Sequence, residues 1–208
     1  MKIRPTVSFV IMILILQNIL HAQKVNILEN LPYVDIQVDG KTIRIERIQD
    51  TNHKLSNSYT KTSRPTPPFD IQPFVPIEGI KTVSELDILE FLQKEVPSKK
   101  GMLIDARLPK WYNDATIPGS VNIPFILFSE NNANAILPLL DATKEKNTWN
   151  FTNAKKLMIF CNGPWCHQTV VAMRHLVKLG YPKSKLFYYR GGMQYWQLLG
   201  LTTLRPTK

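Results

Sequence analysis

The feature that most constrains this fold is the alternation of short apolar runs with amphipathic segments in the second half of the chain. Apolar runs at 102–106, 156–160 and 186–189 have the length of buried strands. Residues 83–95 and 170–179 carry apolar residues at helical spacing before and between these runs. Strands and helices that alternate in this way form a parallel sheet covered on both faces. The sequence therefore predicts an α/β domain, in which ligands bind beyond the carboxyl ends of the strands.

Local signals set the expected helix boundaries. We expect the first helix to begin at a capping box formed by Thr82 and Glu85, in which the Thr hydroxyl accepts from an exposed backbone N–H and the Glu carboxylate reaches back. Gly180 is expected to end the second helix in a left-handed conformation. Residues 129–155 are rich in Asn and Lys and predict a loop with one short helix.

The two cysteines of the chain lie in one loop after the strand at 156–160. The loop reads Cys161-Asn162-Gly163-Pro164-Trp165-Cys166-His167-Gln168-Thr169. Where a strand gives way to a helix, successive backbone N–H groups can turn inward and bind an anion. A thiol in that position has a lowered pKa and is nucleophilic near neutral pH. Cys161 is therefore the candidate nucleophile.

Four blocks of sequence, in the correct order, resemble the rhodanese (sulfurtransferase) family. They are Leu103-Ile104-Asp105-Ala106-Arg107, Ile117-Pro118-Gly119-Ser120-Val121-Asn122-Ile123-Pro124, the strand that ends at Cys161, and Tyr189-Arg190-Gly191-Gly192-Met193 with Trp196 and Gly200-Leu201. The resemblance covers about residues 80–204, and the loop is similar to that of an exported bacterial subgroup with Cys-Asn-Gly-Pro-Trp-Cys. It implies a rhodanese-like parallel sheet flanked by helices.

The resemblance implies that sulfur passes through a persulfide on Cys161. The thiolate would attack the outer sulfur of thiosulfate or a similar small anionic donor, and a thiol or protein acceptor would then remove that sulfur. No metal or organic cofactor is expected, since two cysteines and four histidines leave little for a zinc site. The expected catalytic residues are Cys161 and Cys166, and the expected substrate-binding residues are Asn162, Gly163, Trp165, His167, Gln168, Thr169 and Arg107.

The cysteine loop departs from the family pattern in two ways. Family loops carry an Arg shortly after the cysteine, whereas here no Arg or Lys lies between Cys161 and Arg174. A phosphatase-like relative needs Arg where this chain has His167, which argues against phosphate-ester chemistry. The second cysteine, Cys166, is either a resolving partner that attacks the Cys161 persulfide, releasing sulfide and leaving a disulfide, or an inert structural residue.

Three functions from different classes therefore stay open. The first is an exported sulfurtransferase that uses Cys161. The second is a thiol–disulfide or persulfide reductase that needs both Cys161 and Cys166. The third is a non-catalytic binding module with the same fold.

Several neighbours of the loop also have two possible roles. Asp105 and Arg107 are expected to form a structural ion pair below the site, with Arg107 as a substrate-binding cation the alternative. His167 either contacts the anion or lies exposed at the start of the helix. Trp165 either walls the pocket or packs the loop.

The residues before the domain predict a hairpin and an extended arm. Apolar and polar residues alternate over 31–49, and Asp39-Gly40 suits the tight turn between two strands. Five prolines between positions 65 and 76 exclude a helix or a central strand. The segment 50–79 is therefore expected to lie over the surface as an extended arm, pinned by Phe69 and Phe74.

The first 22 residues have the features of a secretory signal peptide. Lys2 and Arg4 give a positive start, an apolar run at 7–16 follows, and Ala22 offers a small residue for cleavage. We predict cleavage after Ala22, a periplasmic or secreted product and no stable membrane insertion afterwards; an uncleaved membrane anchor is the alternative. The predicted division is a signal peptide at 1–22, a hairpin and Pro-rich extension at 23–79, and the rhodanese-like domain at 80–208.

The charge of the chain limits its partners. The formal net charge is +10, and removal of Lys2 and Arg4 with the signal peptide leaves +8. A positive protein favours anionic partners. The basic residues are scattered rather than striped, so nucleic acid is not expected as a partner.

Overall fold

A five-stranded sheet forms the centre of the computed structural model, which describes residues 24–206. The predicted signal peptide at 1–22 thus lies outside the described residues. The strands are β1 (Tyr33–Val38), β2 (Lys41–Glu46), β3 (Lys81–Val83), β4 (Gly101–Asp105), β5 (Ser120–Asn122), β6 (Thr143–Glu145), β7 (Thr148–Asn150), β8 (Lys156–Phe160) and β9 (Leu186–Tyr189). The central sheet has the order β3-β9-β8-β4-β5, and its neighbouring strands are parallel.

Helices cover this sheet. They are α1 (Glu85–Lys94), α2 (Pro109–Asp114), α3 (Ala133–Leu139), α4 (Gln168–Lys178) and α5 (Gly192–Leu198), with short 3₁₀ turns at Ser58–Thr60, Phe125–Phe128, Glu130–Asn132 and Lys183–Lys185. Within residues 24–206, no helix is both long enough and apolar enough to span a bilayer. The region 129–155 contains the expected short helix, α3, and also a small hairpin made by β6 and β7.

Apolar side chains are buried on both faces of the sheet. On one face Ile104 and Ile159 pack with residues of α4 such as Met173. On the other face Leu103 and Phe160 pack with α1, α5 and the β1–β2 hairpin. Successive residues of a strand point to opposite faces, so a strand covered on both sides must be apolar throughout. The predicted α/β architecture is confirmed.

The β1–β2 hairpin is also present and covers part of the core. Its strands pair from Tyr33↔Glu46 to Val38↔Lys41, with Asp39 and Gly40 at positive φ in the turn. The alternate residues Val34, Ile36 and Ile45 are buried in the same cluster as α1. The end of β2 and the chain that follows it are tied to the C-terminal segment, since Thr202 N–H donates to Glu46 O at 3.0 Å and Ile48 N–H donates to Gly200 O at 2.8 Å.

The start of α1 differs from the prediction. Ser84 is the N-cap, and its backbone N–H donates to the Asp87 carboxylate at 2.9 Å, so the capping box lies two residues later than expected. Thr82 instead belongs to β3, where it pairs with Tyr188 of β9. Pairing with β9 keeps the chain extended past Thr82, and Asp87 then takes the role assigned to Glu85.

Candidate active site

The cysteine loop joins the central strand β8 to α4. Cys161 directly follows β8, and α4 begins at Gln168. The start of α5 holds this loop by its backbone, because Met193 N–H donates to Cys161 O at 3.0 Å and Gln194 N–H donates to Asn162 O at 2.9 Å. The loop is therefore fixed at the carboxyl edge of the sheet between two helix N-termini.

Gly192 allows this close approach. It has φ +55°, and a Cβ there would lie 2.5 Å from Cys161 O and 2.7 Å from the backbone nitrogen of Gly163. A side chain at this position would push the cysteine loop away from α5. The glycine pair at 191–192 is thus required by the packing of the loop backbone.

Cys161 is buried, with 2% of its surface exposed, but its sulfur has several donors around it. Burial acts to raise the pKa of the thiol. Hydrogen bonds from Cys166, from the Thr169 hydroxyl and from the N–H groups of Thr169 and Gly163 outweigh burial and lower the pKa of Cys161 to about 7. The Thr169 hydroxyl is buried and has no hydrogen-bond partner among the described residues, so its proton is free to turn toward the sulfur.

The pKa of Cys166 is shifted in the opposite direction. Burial and the neighbouring sulfur of Cys161 raise the pKa of Cys166 well above its usual value. The two cysteines are not joined by a disulfide, and the Cys161 thiol donates to Cys166 O at 3.3 Å. Of two thiols in contact, one ionises first and its charge keeps the proton on the other. In this pair the thiolate forms on Cys161.

The Pro-rich arm lies across the cysteine loop. Phe69 packs edge-to-face on Trp165 with ring centroids 5.3 Å apart, and the Arg64 guanidinium lies 3.7 Å from the centre of the Trp165 indole. Trp165 Nε1 donates to Gln194 Oε1 at 2.7 Å on the other side. Trp165 therefore joins the arm, the loop and α5.

Further hydrogen bonds join the backbone of the arm to the cysteine loop and to Arg190, which follows β9. Gln72 N–H donates to Pro164 O at 2.8 Å, and the Arg190 guanidinium donates to Gln72 O at 3.0 and 3.1 Å. His167 Nδ1 lies 3.1 Å from Pro68 O. The prediction that the arm is extended over the surface holds, with Phe69 as one anchor. Phe74 is not an anchor, because its side chain is 68% exposed.

Both cysteines are closed to solvent. Cys166 is 3% exposed, much like Cys161. A cavity of about 600 Å³ lies beside the site, between the extension and α5, and Tyr59 and Gln194 line it. Neither cysteine lines this cavity. Access to the sulfurs thus requires the arm or the loop to move.

A buried polar network supports the loop from below. The Arg107 and Asp105 side chains form the predicted ion pair at 2.6 Å and are 1% and 0% exposed. Arg107 also donates to Ala115 O at 2.6 Å and, through Nη1, to the Tyr59 hydroxyl at 3.0 Å. Tyr59 donates in turn to Asn162 Oδ1 at 2.8 Å. The network links the end of β4 to the cysteine loop through a residue of the extension.

The structure sorts the predicted site residues into three groups. Asn162, Gly163 and Thr169 surround the two sulfurs. Trp165 and His167 face the arm, and the half-buried Gln168 begins α4. Arg107 faces Asp105 and Tyr59, and its side chain is closed to solvent in this conformation. Its role as a cation that binds the sulfur-donor substrate stays a prediction.

Of the residues that the extension brings to the site, the sequence predicts only Phe69 as a packing residue. Sequence reasoning missed Tyr59, Arg64, Pro68 and Gln72. The cluster of prolines predicted an extended segment but not its course. Gln194 was missed because a Gln in a helix carries no signal of its partner.

Comparisons with known proteins identify the family to which this chain belongs. A family model described as a rhodanese-like domain matches residues 89–199. A search of the curated proteins finds no similar sequence. Among solved structures, the human single-domain sulfurtransferase is 25% identical over 56% of this chain and 95% of its own, with a TM-score of 0.40. The thiosulfate sulfurtransferase of Pseudomonas aeruginosa is 16% identical over 62% of this chain and 21% of its own, with a TM-score of 0.43.

The family model spans more than half of the chain and includes the strand that precedes Cys161, the cysteine loop and α4. The chain therefore belongs to the rhodanese-like domain family. The hairpin and the Pro-rich arm precede the matched residues.

Proposed function

We propose that this protein is an exported sulfurtransferase that passes sulfur through a persulfide on Cys161. The observation that carries the proposal is the position of Cys161 at the end of β8, where hydrogen-bond donors lower the pKa of its thiol to about 7 despite burial. A substantial fraction of Cys161 is then thiolate near neutral pH, and the thiolate is the nucleophilic form. The family supports a sulfurtransferase-type reaction.

The transfer balances in two displacements. The Cys161 thiolate attacks the outer sulfur of thiosulfate, a new S–S bond forms, and the old S–S bond breaks so that sulfite leaves with its electron pair. An acceptor thiolate then attacks the outer sulfur of the persulfide, and Cys161 leaves as a thiolate. The acceptor thiol has become a persulfide, and Cys161 is regenerated.

The same donors that stabilise the thiolate suit the persulfide. The N–H groups of Gly163 and Thr169 and the Thr169 hydroxyl surround the Cys161 sulfur. They hold negative charge without an arginine in the loop, in keeping with the anion-binding property of a helix N-terminus. The Arg64 guanidinium stacks on Trp165 of the loop.

Intact mass after exposure to thiosulfate tests the proposal. We expect the wild-type protein to gain the mass of one sulfur atom, because the persulfide is a covalent adduct. Cys161→Ser should gain none, and Cys166→Ser should still gain one. Wild-type protein that never gains sulfur from thiosulfate or polysulfide would contradict the proposal and favour the non-catalytic binding module.

A second candidate, a persulfide reductase, is favoured by the contact between the two cysteines. Cys166, as a thiolate, would attack the inner sulfur of the Cys161 persulfide, hydrosulfide would leave, and a Cys161–Cys166 disulfide would form. A small thiol reductant would then reduce the disulfide. For this reaction Cys166→Ser would keep the added sulfur but lose sulfide release, which separates it from simple transfer.

The export of the protein is part of the same proposal. Its support is the sequence of the first 22 residues, with a positive start, an apolar run and Ala22 at the expected cleavage point. The N-terminal sequence of protein isolated from the periplasm or medium should begin at Gln23. Protein that retains Met1 in the membrane fraction would indicate the uncleaved anchor instead.

A further inference from the structure

Tyr59 reaches the cysteine loop from a part of the chain outside the matched family domain. It lies in the 3₁₀ turn Ser58–Thr60 of the extension and is 7% exposed. Its hydroxyl lies between two groups, accepting from Arg107 Nη1 at 3.0 Å and donating to Asn162 Oδ1 at 2.8 Å. Tyr59 and Asn162 are 103 positions apart in the sequence.

The direction of this chain of hydrogen bonds is fixed by Arg107. A guanidinium can only donate, so the Tyr59 oxygen is the acceptor and its single proton goes to the other neighbour. Burial raises the pKa of Tyr59 to about 12, so the hydroxyl keeps that proton at physiological pH. The Asn162 amide must then present its oxygen to Tyr59, and its NH₂ group is directed away.

The group on the other side of the amide is Cys166. Asn162 Nδ2 lies 3.8 Å from Cys166 Sγ, and both residues are buried. An amide with the opposite orientation would place its oxygen against the sulfur and repel a thiolate. The orientation of Asn162 therefore decides whether negative charge on Cys166 is favoured or opposed.

We propose that Tyr59 is a positioning residue for the cysteine pair, which holds the Asn162 amide with its NH₂ group toward the sulfur of Cys166. This inference deepens the second candidate function, the persulfide reductase, on which its biological use rests, because a donor at Cys166 stabilises the thiolate that would attack a persulfide on Cys161. It also gives the extension a direct part in the site. A family domain without the extension would lack this hydroxyl.

Other titratable and charged groups near Cys166 must be separated from this effect. Cys161 is in hydrogen-bond contact with it, and the charge of Arg64 and the hydroxyl of Tyr188 lie close enough to interact. His167 is the next residue in the chain. A Cys161→Ser background removes the strongest of these, and the remaining three are the same in every variant compared.

The test measures the alkylation of Cys166 by iodoacetamide as a function of pH in the Cys161→Ser protein. We expect Tyr59→Phe to move the midpoint upward by roughly one pH unit, a tenfold loss of thiolate at a given pH, because the amide is no longer held. A variant that only loosened the arm would change the alkylation rate by the same factor at every pH, which would overturn the proposal.

Two further variants make the readout specific. Tyr181→Phe removes another buried hydroxyl, one that donates to Lys155 O at 2.6 Å, and should leave the midpoint in place. Asn162→Ala by itself should raise the pH midpoint of alkylation. The double variant Asn162→Ala with Tyr59→Phe should show no additional shift. Additive shifts would show that Tyr59 does not act through Asn162 and would overturn the proposal.

The result is independent of turnover. An unchanged midpoint in Tyr59→Phe, or an equal shift in Tyr181→Phe, overturns the positioning role even if the wild-type protein takes up sulfur. Conversely, wild-type protein that takes up no sulfur contradicts the proposed function while the shift in Tyr59→Phe still supports the positioning role.

Discussion

Cys161 is subject to two opposing effects, and its immediate neighbours decide the outcome. Burial favours the neutral thiol, whereas the N–H groups of Gly163 and Thr169, the Thr169 hydroxyl and Cys166 favour the thiolate. Together the donors outweigh burial. This balance needs no basic side chain in the loop, which accounts for a lowered cysteine pKa in a segment without Arg or Lys before Arg174.

The first prediction concerns the pH dependence of Cys161. Because its pKa is lowered to about 7, the thiolate fraction should rise as the pH rises through about 7 and should fall below it. The alkylation rate of Cys161, followed by peptide mapping, should therefore reach its plateau below about pH 9. Denatured protein, with an ordinary cysteine pKa of about 8.5, provides the control, and the same midpoint in folded and denatured protein would contradict the prediction.

At the scale of elements, the site is made where the cysteine loop, α5 and the arm meet. The loop is held from one side by N–H groups at the start of α5, and from the other by the aromatic contact of Phe69 with Trp165. Each contact can be removed by one substitution, and the chain offers a matched control for each.

Gly192→Ala should destabilise the protein and displace the cysteine loop. Gly192 and Gly40 both have positive φ, but a Cβ on Gly192 would lie 2.5 Å from Cys161 O, while a Cβ on Gly40 would have nothing within 4 Å. Both variants should lose about 1–2 kcal/mol for the backbone conformation. Gly192→Ala should lose more than Gly40→Ala in urea unfolding, because its Cβ also pushes the cysteine loop off α5. Equal losses would show that the contact is relieved without cost.

Phe69→Ala should expose the cysteines more often. An edge-to-face aromatic pair contributes about 0.5–1.5 kcal/mol, so its loss should raise the alkylation rate of Cys161 roughly three- to tenfold. Phe74→Ala is the control, because Phe74 lies in the same arm but its side chain is mostly exposed. Equal rates in the two variants would mean that the Trp165 contact does not hold the arm closed.

Local sequence signals were sufficient for some elements and not for others. The strands at Lys156–Phe160 and Leu186–Tyr189 were predicted with the observed boundaries, because continuous apolar runs mark strands buried on both faces. The three-residue strand β3 was missed, because its strand character comes from pairing with β9 rather than from its own residues. That pairing also moved the start of α1.

At the scale of the whole molecule, the extension and the domain share one interior. The hairpin buries Val34 and Ile36 in the cluster that contains α1, and Tyr59 completes the network at Asn162. Contacts between residues so distant in the chain leave no periodic pattern, so the sequence could not predict them. The cysteine loop was predictable because its residues are consecutive, whereas the course of the arm above it was not.

A substitution of Arg107 tests whether the extension and the domain share one interior. It bonds to Asp105 at the end of β4, to Ala115 after α2 and to Tyr59 of the extension, and it is fully buried. Arg107→Met should destabilise the protein by about 3–5 kcal/mol, because it leaves the Asp105 charge buried without its partner. Urea unfolding followed by both fluorescence and circular dichroism measures the loss.

The control for Arg107 is an ion pair at the surface. Lys94 and Glu90 lie 2.7 Å apart with side chains 70% and 64% exposed. Lys94→Met should cost no more than about 1 kcal/mol, since exposed pairs are weak. Similar losses in Lys94→Met and Arg107→Met would contradict the assignment of the buried network as the link between extension and domain.

The position of the arm over the cysteine loop affects how fast Cys161 is oxidised. A thiolate that is permanently open to oxidants proceeds through sulfenic acid to forms that cannot be reduced again. Here a peroxide molecule can meet the sulfur only during an opening event. The lifetime of the reduced thiol is then set by how often the arm or the loop moves away from the sulfur.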